Sequence, residues 1–234
     1  MQTESSIDNR RARGEATKSA LMRAAEKLSA DNGVENVSIR EIVAEADQKN
    51  ESALQYHFKN LNGLLKAIHV ERGRAIETKR KAMLTETLER SAHPSLRDLC
   101  RLMIEPTFFL ARGSAEFRRY VKAFGHQLAL TDASPLNLST KMDRGRALGP
   151  LLKAALPHLT KDDYIVRMES AIRLTSASMH HQARQRSAFR GAESDLFLNN
   201  LLDALSGLLS APVSPETKKA KASQKKTKQA TEPK

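Results

Sequence analysis

The sequence predicts an all-α fold: a three-helix helix-turn-helix head followed by a larger helical body. Three observations point there. The 234 residues are rich in Ala, Leu, Arg, Glu and Lys and hold only eight prolines and ten glycines, a composition that favours helix. Apolar residues recur at three- and four-residue spacing, whereas the strict alternation of a strand is nearly absent. Capping residues stand where the periodic runs begin, Ser38, Asn50 and Asn60 among them. A chain of this length can bury a full core, as one domain or as a small domain fused to a larger one.

The elements follow in order. Residues 1–14 are polar, carry Arg10, Arg11 and Arg13, and read as a flexible arm. The first helix has Leu21, Ala24, Ala25 and Leu28 at helical spacing. Ser38 then caps a helix of about eight residues whose apolar face is Ile39, Ile42, Val43 and Ala46. Asp47, Gln48 and Lys49 interrupt it, and Asn50 supplies a second N-cap before Leu54 and Phe58, which share one buried face at i,i+4. Two helices so closely linked must cross steeply. That is a helix-turn-helix, whose second helix enters the major groove of DNA.

These residues resemble the DNA-binding domain of the tetracycline-repressor (TetR) family of bacterial transcription regulators. The resemblance lies in a first helix from about Glu15 to Ala30, a stop at Gly33, the second helix SIREIVAEA, and a third ending in Tyr56, His57 and Phe58. Leu64 and Leu65 at the opening of helix four belong to it too. It covers about fifty residues, so we place the head at 15–60. Asp47 stands where members commonly have glycine, Gln55 where they have tyrosine, and Leu61 near a phosphate-contacting lysine; the recognition segment is one residue longer. The resemblance implies a body, 61–210, that binds a small-molecule effector in a cavity and pairs two copies.

Asn60 caps the fourth helix, which carries Leu64, Leu65 and Ile68 against the head and continues towards Glu89. After the break at His93, Pro94 and Ser95, five segments are predicted: Leu96 to Arg112, Ala115 to Leu130, Leu136 to Leu156, Lys161 to Phe189 and Glu193 to Ser210. Pro106 is expected to kink or interrupt the first. Ile165, Ile172 and Met179 recur every seven residues, and small residues from Thr175 to Ser178 allow close helix approach. Leu198, Leu201, Leu202, Leu205, Leu208 and Leu209 form a broad stripe. It suits either a two-fold four-helix dimer interface, the reading the resemblance favours, or burial within one chain. Residues 211–234 hold seven lysines, two glutamates and almost no large apolar side chain, so they read as a disordered lysine-rich tail.

Much of the formal charge of +12 lies in that tail, while Arg10 to Asn60 carries nine basic and eight acidic residues. DNA binding is therefore argued from placement. With about 100° of rotation per residue, Ser52, Gln55, Tyr56 and Lys59 fall opposite Leu54. Gln55 can read an adenine edge, Tyr56 can touch phosphate or a thymine methyl, and Lys59 suits phosphate. Ser38 and Arg40 open the second helix, and Lys49 and Asn50 the third, all placed for backbone contacts. His57 lies near the buried side and reads as a packing residue. Met103, Phe108, Phe109, Phe117, Tyr120 and Phe124 gather half of the chain's aromatic residues into one short region and are candidates to line an effector cavity, although such clusters are commonly core.

Enzyme chemistry has no foothold. No phosphate-cradling glycine loop, HExxH pattern or glycine-flanked serine occurs, and the adjacent His180 and His181 point to different faces. Cys100 is alone on an apolar face, which rules out an intramolecular disulfide. No cofactor or metal is implied. The lack of a leader or an apolar run of about twenty residues predicts a cytoplasmic protein with no membrane partner. The reading is a ligand-responsive transcriptional regulator, a repressor that binds an inverted-repeat operator in double-stranded DNA as a homodimer. The alternative is an architectural DNA-binding protein without an effector.

Overall fold

The structure, a computed structural model, describes residues 2–130 and 148–231, and the described residues form helices with no strand. The head consists of α1 (Gln2–Asn32), one 3-10 turn (Val34–Asn36), α2 (Ile39–Glu45) and α3 (Ser52–Phe58). α4 (Leu61–Arg90) leads to the body, made of α5 (Leu96–Gly113), α6 (Ala115–Leu130), α7 (Leu148–Ala155), α8 (Lys161–Ala183) and α9 (Gly191–Ser210). α10 (Pro215–Thr231) follows.

The segment expected as a flexible arm is the start of α1. No proline interrupts the run from Gln2 to Asn32, so helix propagates back from the buried part at little cost per residue. α2 is capped as the sequence predicts. Ser38 Oγ accepts from the Glu41 N–H at 3.3 Å, and the Ser38 N–H donates to Glu41 Oε2 at 2.8 Å, a reciprocal capping box. α2 closes at its C-cap Ala46, and the next residue, Asp47, has a φ of 53° in the left-handed region. That explains why glycine is the usual residue at such a position, and Asp is among the few others that tolerate it.

Asn50 does not cap α3 as expected. Glu51 occupies the N-cap position, while Asn50 Oδ1 accepts from the Ser52 N–H at 3.1 Å. A side-chain oxygen bonding two residues ahead makes an Asx turn that delivers the chain to the helix. Asn60 does cap α4, accepting from the Gly63 N–H at 2.9 Å. Gly63 admits nothing larger, because a Cβ there would sit 1.9 Å from the Phe58 carbonyl oxygen.

Leu21, Ala25, Ile42, Leu54, Leu64 and Ile68 are fully buried and, with Val43 and Phe58, close the head core. Leu64 and Ile68 belong to α4, so this core runs past residue 60. In the body, predicted helix bounds hold within a few residues except at two places. Residues 136–147 of the third predicted segment lie outside the described residues, and α8 stops at Ala183 rather than Phe189.

α5 runs unbroken through Pro106, against expectation. Proline has no N–H for the Leu102 carbonyl four residues back, but Arg80 Nε of α4 donates to that oxygen at 3.0 Å. α6 and α8 approach closely where Gly125 faces α8, a Cβ there lying 3.0 Å from His180 Cβ and 3.4 Å from the Ser176 carbonyl. Of the small residues of α8, Ser176 thus meets α6 within the chain, while Ala177 is exposed. The leucine stripe packs within the chain too: Leu198, Leu201, Leu202, Leu205 and Leu209 are buried here. Each such burial is worth about 1.5–3 kcal/mol; of the five, Leu201 also lines a groove between α8 and α9.

Candidate nucleic-acid interface

The head presents α3 with Leu54 and Phe58 inward, and this inward anchor determines what faces out. All eight predicted DNA contacts, Ser38, Arg40, Lys49, Asn50, Ser52, Gln55, Tyr56 and Lys59, are exposed, and Tyr56 is 85% exposed. The Tyr56 ring thus stands clear of the head core, with its hydroxyl open to a partner. His57 is half-buried and meets Tyr56 edge-on, the ring centres 4.9 Å apart.

Hydrogen bonding divides the eight. The Ser38 hydroxyl donates to Glu41 Oε2 at 2.7 Å, and those bonds hold the Glu41 carboxyl below its ordinary value. The Ser52 hydroxyl donates to Asn50 Oδ1. The Ser38 and Ser52 hydroxyl protons are thus engaged within the head, and the amide N–H groups of the Asn50 side chain make no bond among the described residues. The side chains of Arg40, Lys49, Gln55, Tyr56 and Lys59 make no hydrogen bond or ion pair within the described residues. They form an array of two lysines, one arginine, one amide and one phenol across the α2–α3 corner. Lys59 itself has a φ of 68° as the α3 C-cap, so the turn sets its direction.

Arg11 and Arg13 are exposed on α1, and a Cβ at Gly14 would lie 3.8 Å from His57 Cε1. These arginines therefore stand on a helix beside α3. The basic run was visible in the sequence; its helical placement was not.

Behind the head lies a buried ionic joint. Arg72 of α4 donates to both oxygens of Glu26 on α1, at 2.7 and 2.6 Å, and reaches Glu116 of α6 at 3.5 Å. Its guanidinium sits 5.5 Å from the centre of the Phe117 ring. Burial pushes the Glu26 carboxyl up while the Arg72 bonds pull it down; burial is the larger effect. Next to it, His69 Nδ1 lies 3.3 Å from the Tyr120 hydroxyl. Burial lowers His69 and pushes Tyr120 up to about 12.

The six effector candidates divide into two groups. Phe108 and Phe109 pack with Phe189 and Phe197 under Arg112, whereas Phe117, Tyr120 and Phe124 pack with His69. Met103 is partly buried and Phe109 is 36% exposed; the other four are core. None of the six lines either of two surface depressions found among the described residues. One, of about 250 Å³, is lined by Gln182, Gln185, Arg186, Ser187 and Glu193. The other, of about 470 Å³, is an apolar groove between α8 and α9, bounded by Leu174, Leu196, Phe197 and Ala204. Val166 and Leu196 are 61% and 63% exposed on the same two helices. Among the described residues no cluster of three or more metal-ligating side chains occurs, and no single helix is long and apolar enough to cross a membrane.

Residues 21–68 match the family described as bacterial regulatory proteins, tetR family. That span runs from Leu21 in the middle of α1 to Ile68, the last head-core residue of α4. No curated protein matches the chain.

Proposed function

Starting from a chain that belongs to the TetR family of DNA-binding transcription regulators through its residues 21–68, we propose that it acts as a homodimeric repressor. It binds an inverted-repeat operator and releases it when a small molecule enters the body. The observation that carries the reading is the exposed array of Arg40, Lys49, Gln55, Tyr56 and Lys59 at the α2–α3 corner, whose side chains make no hydrogen bond or ion pair among the described residues. Gln55 reads a base edge, Tyr56 contacts phosphate or a methyl group, and the three cations fix register on the backbone.

The apolar α8–α9 groove supports the pairing of two copies that this use requires. Val166, Leu174, Leu196, Phe197 and Ala204 form an apolar face that one chain leaves open. Two heads then meet half-sites one turn apart, about 34 Å, or a multiple of it. An apolar effector enters between the aromatic groups of α5 and α6, which it must part to do so. It shifts the protein only by binding the DNA-incompetent arrangement more tightly.

Selection of duplexes from a random pool by the purified chain tests the proposal. Enrichment of an inverted repeat, with sedimentation of a dimer on it, is expected. Tight binding with no enriched sequence would replace it with the architectural alternative.

A further inference from the structure

α10 does not float free of the body. Ser214 Oγ accepts from the Thr217 N–H at 3.2 Å, and Pro215 opens the helix with its fixed φ. Arg167 of α8 donates to the Ala211 carbonyl at 3.1 Å and also to the Leu208 carbonyl, pinning the α9–α10 junction. Further along, Lys221 bonds Asp163 at the start of α8. The segment expected to be disordered is thus a helix held at two points. Its Ala, Lys, Gln and Glu residues are good helix formers, which the expectation undervalued.

Between Pro215 and Thr231 the helix holds six lysines and one glutamate, a charge of +5. Lys218 and Lys219 are exposed, and no ion pair reaches either among the described residues. Lys225, Lys226 and Lys228 continue the series. Positions 218, 221, 225 and 228 recur at three- and four-residue steps, the spacing at which like charges on a helix repel. Of the three lysines whose side chains are described, the body offsets only Lys221. The segment also contains no Leu, Ile, Val, Met, Phe, Tyr or Trp, so it lacks the apolar face that an interfacial membrane helix buries. A partner that relieves the repulsion must supply negative charge alone, at close spacing. The helix from 218 to 228 spans about 15 Å, over which one strand of B-DNA offers roughly four phosphates.

We propose that α10 is a second DNA contact, a sequence-independent grip on the phosphate backbone that adds to the reading head. This rests on the DNA-binding assignment of the head. It acts by counterion release, so it raises affinity for every duplex and steepens the salt dependence without changing sequence preference.

The test replaces Lys218, Lys219, Lys225, Lys226 and Lys228 by Gln in the full chain, leaving Lys221 and its anchor intact. Gln keeps helix propensity, and an unchanged circular dichroism spectrum verifies the fold. Binding to an arbitrary duplex of about 30 base pairs is titrated between about 50 and 200 mM salt. The expected result is a loss of roughly tenfold or more in affinity and a salt slope shallower by about 0.9 for each phosphate no longer neutralised. Affinity and slope equal to wild type would overturn the proposal while leaving the head's assignment intact. Loss of binding to phosphatidylglycerol vesicles with DNA binding unchanged would overturn it in favour of a membrane contact. A wild-type chain that bound no duplex would overturn both readings.

Discussion

Pro106 and Arg80 offer a test of how one helix crosses another without breaking. Leu102 is 1% exposed, and its carbonyl has no α5 amide to accept from because Pro106 provides none. Arg80 Nε fills that role at 3.0 Å. Arg80→Ala should leave a buried acceptor unsatisfied, at a cost of about 1–3 kcal/mol. In a Pro106→Ala background the restored N–H of residue 106 can reach the Leu102 carbonyl, and the same substitution should cost about 1–2 kcal/mol less. Arg80 also pairs with Glu77, but that loss is common to both backgrounds and cancels in the cycle. Urea denaturation of the four proteins at one fixed concentration, followed by circular dichroism, gives the coupling energy directly. If Arg80→Ala cost the same in both backgrounds to within about 0.5 kcal/mol, the carbonyl would not be what Arg80 serves.

Four further outcomes are expected. Gln55→Ala should reduce discrimination at one or two operator positions by about 1–3 kcal/mol, whereas Lys59→Ala should weaken all sequences evenly; titrations on selected and scrambled duplexes separate the two. Gly63→Ala should destabilise the head by about 1–3 kcal/mol despite alanine's better helix propensity, because its Cβ would lie 1.9 Å from the Phe58 carbonyl, and thermal melts measure it. Asp47→Gly should be neutral or stabilising by up to about 1 kcal/mol at the left-handed turn, and Asp47→Val clearly destabilising in the same melts. Burial depresses His69, so the unfolded chain takes up the proton first. The stability present above its ordinary value is lost as the pH falls through the folded-state value, and His69→Phe should flatten the melting temperature between pH about 7.5 and about 5.5. An unchanged pH profile would remove His69 from that account.

Local chemistry made the head legible. Ser38 with Glu41 three residues on, and Leu54 with Phe58 four apart, carry their structural meaning inside one or two turns. The same holds for the outward face of α3, since knowing which residues are buried determines which are not. What escaped depended on distant partners. Nothing near Pro106 in sequence reveals that Arg80, across a helix crossing, completes its bond. Nor could spacing show that Phe108 and Phe124, on successive helices, would belong to separate aromatic groups, or that α5 and α8 would cover the leucines of α9. The commitment of the Ser52 proton to Asn50 is a matter of rotamer, which no pattern of residue types displays.

The Arg72 joint bears on where this protein can be cut. The family match ends at Ile68, one turn short of Arg72. A fragment trimmed to that match would retain Glu26, which is 1% exposed, and lose the cation that both its oxygens accept from. Glu26 would then lose its two-bond partner and, with it, the tie that joins α1 to α4, in a unit of fewer than fifty residues with little core to spare. Excision at a homology boundary therefore yields a poorer module than excision one helical turn later. Even a fragment ending beyond Arg72 exposes the arginine face that Glu116 and Phe117 cover in the whole chain. For anyone grafting this head onto another regulator, the recipient must supply an acid and an aromatic ring at the place where α6 now provides them.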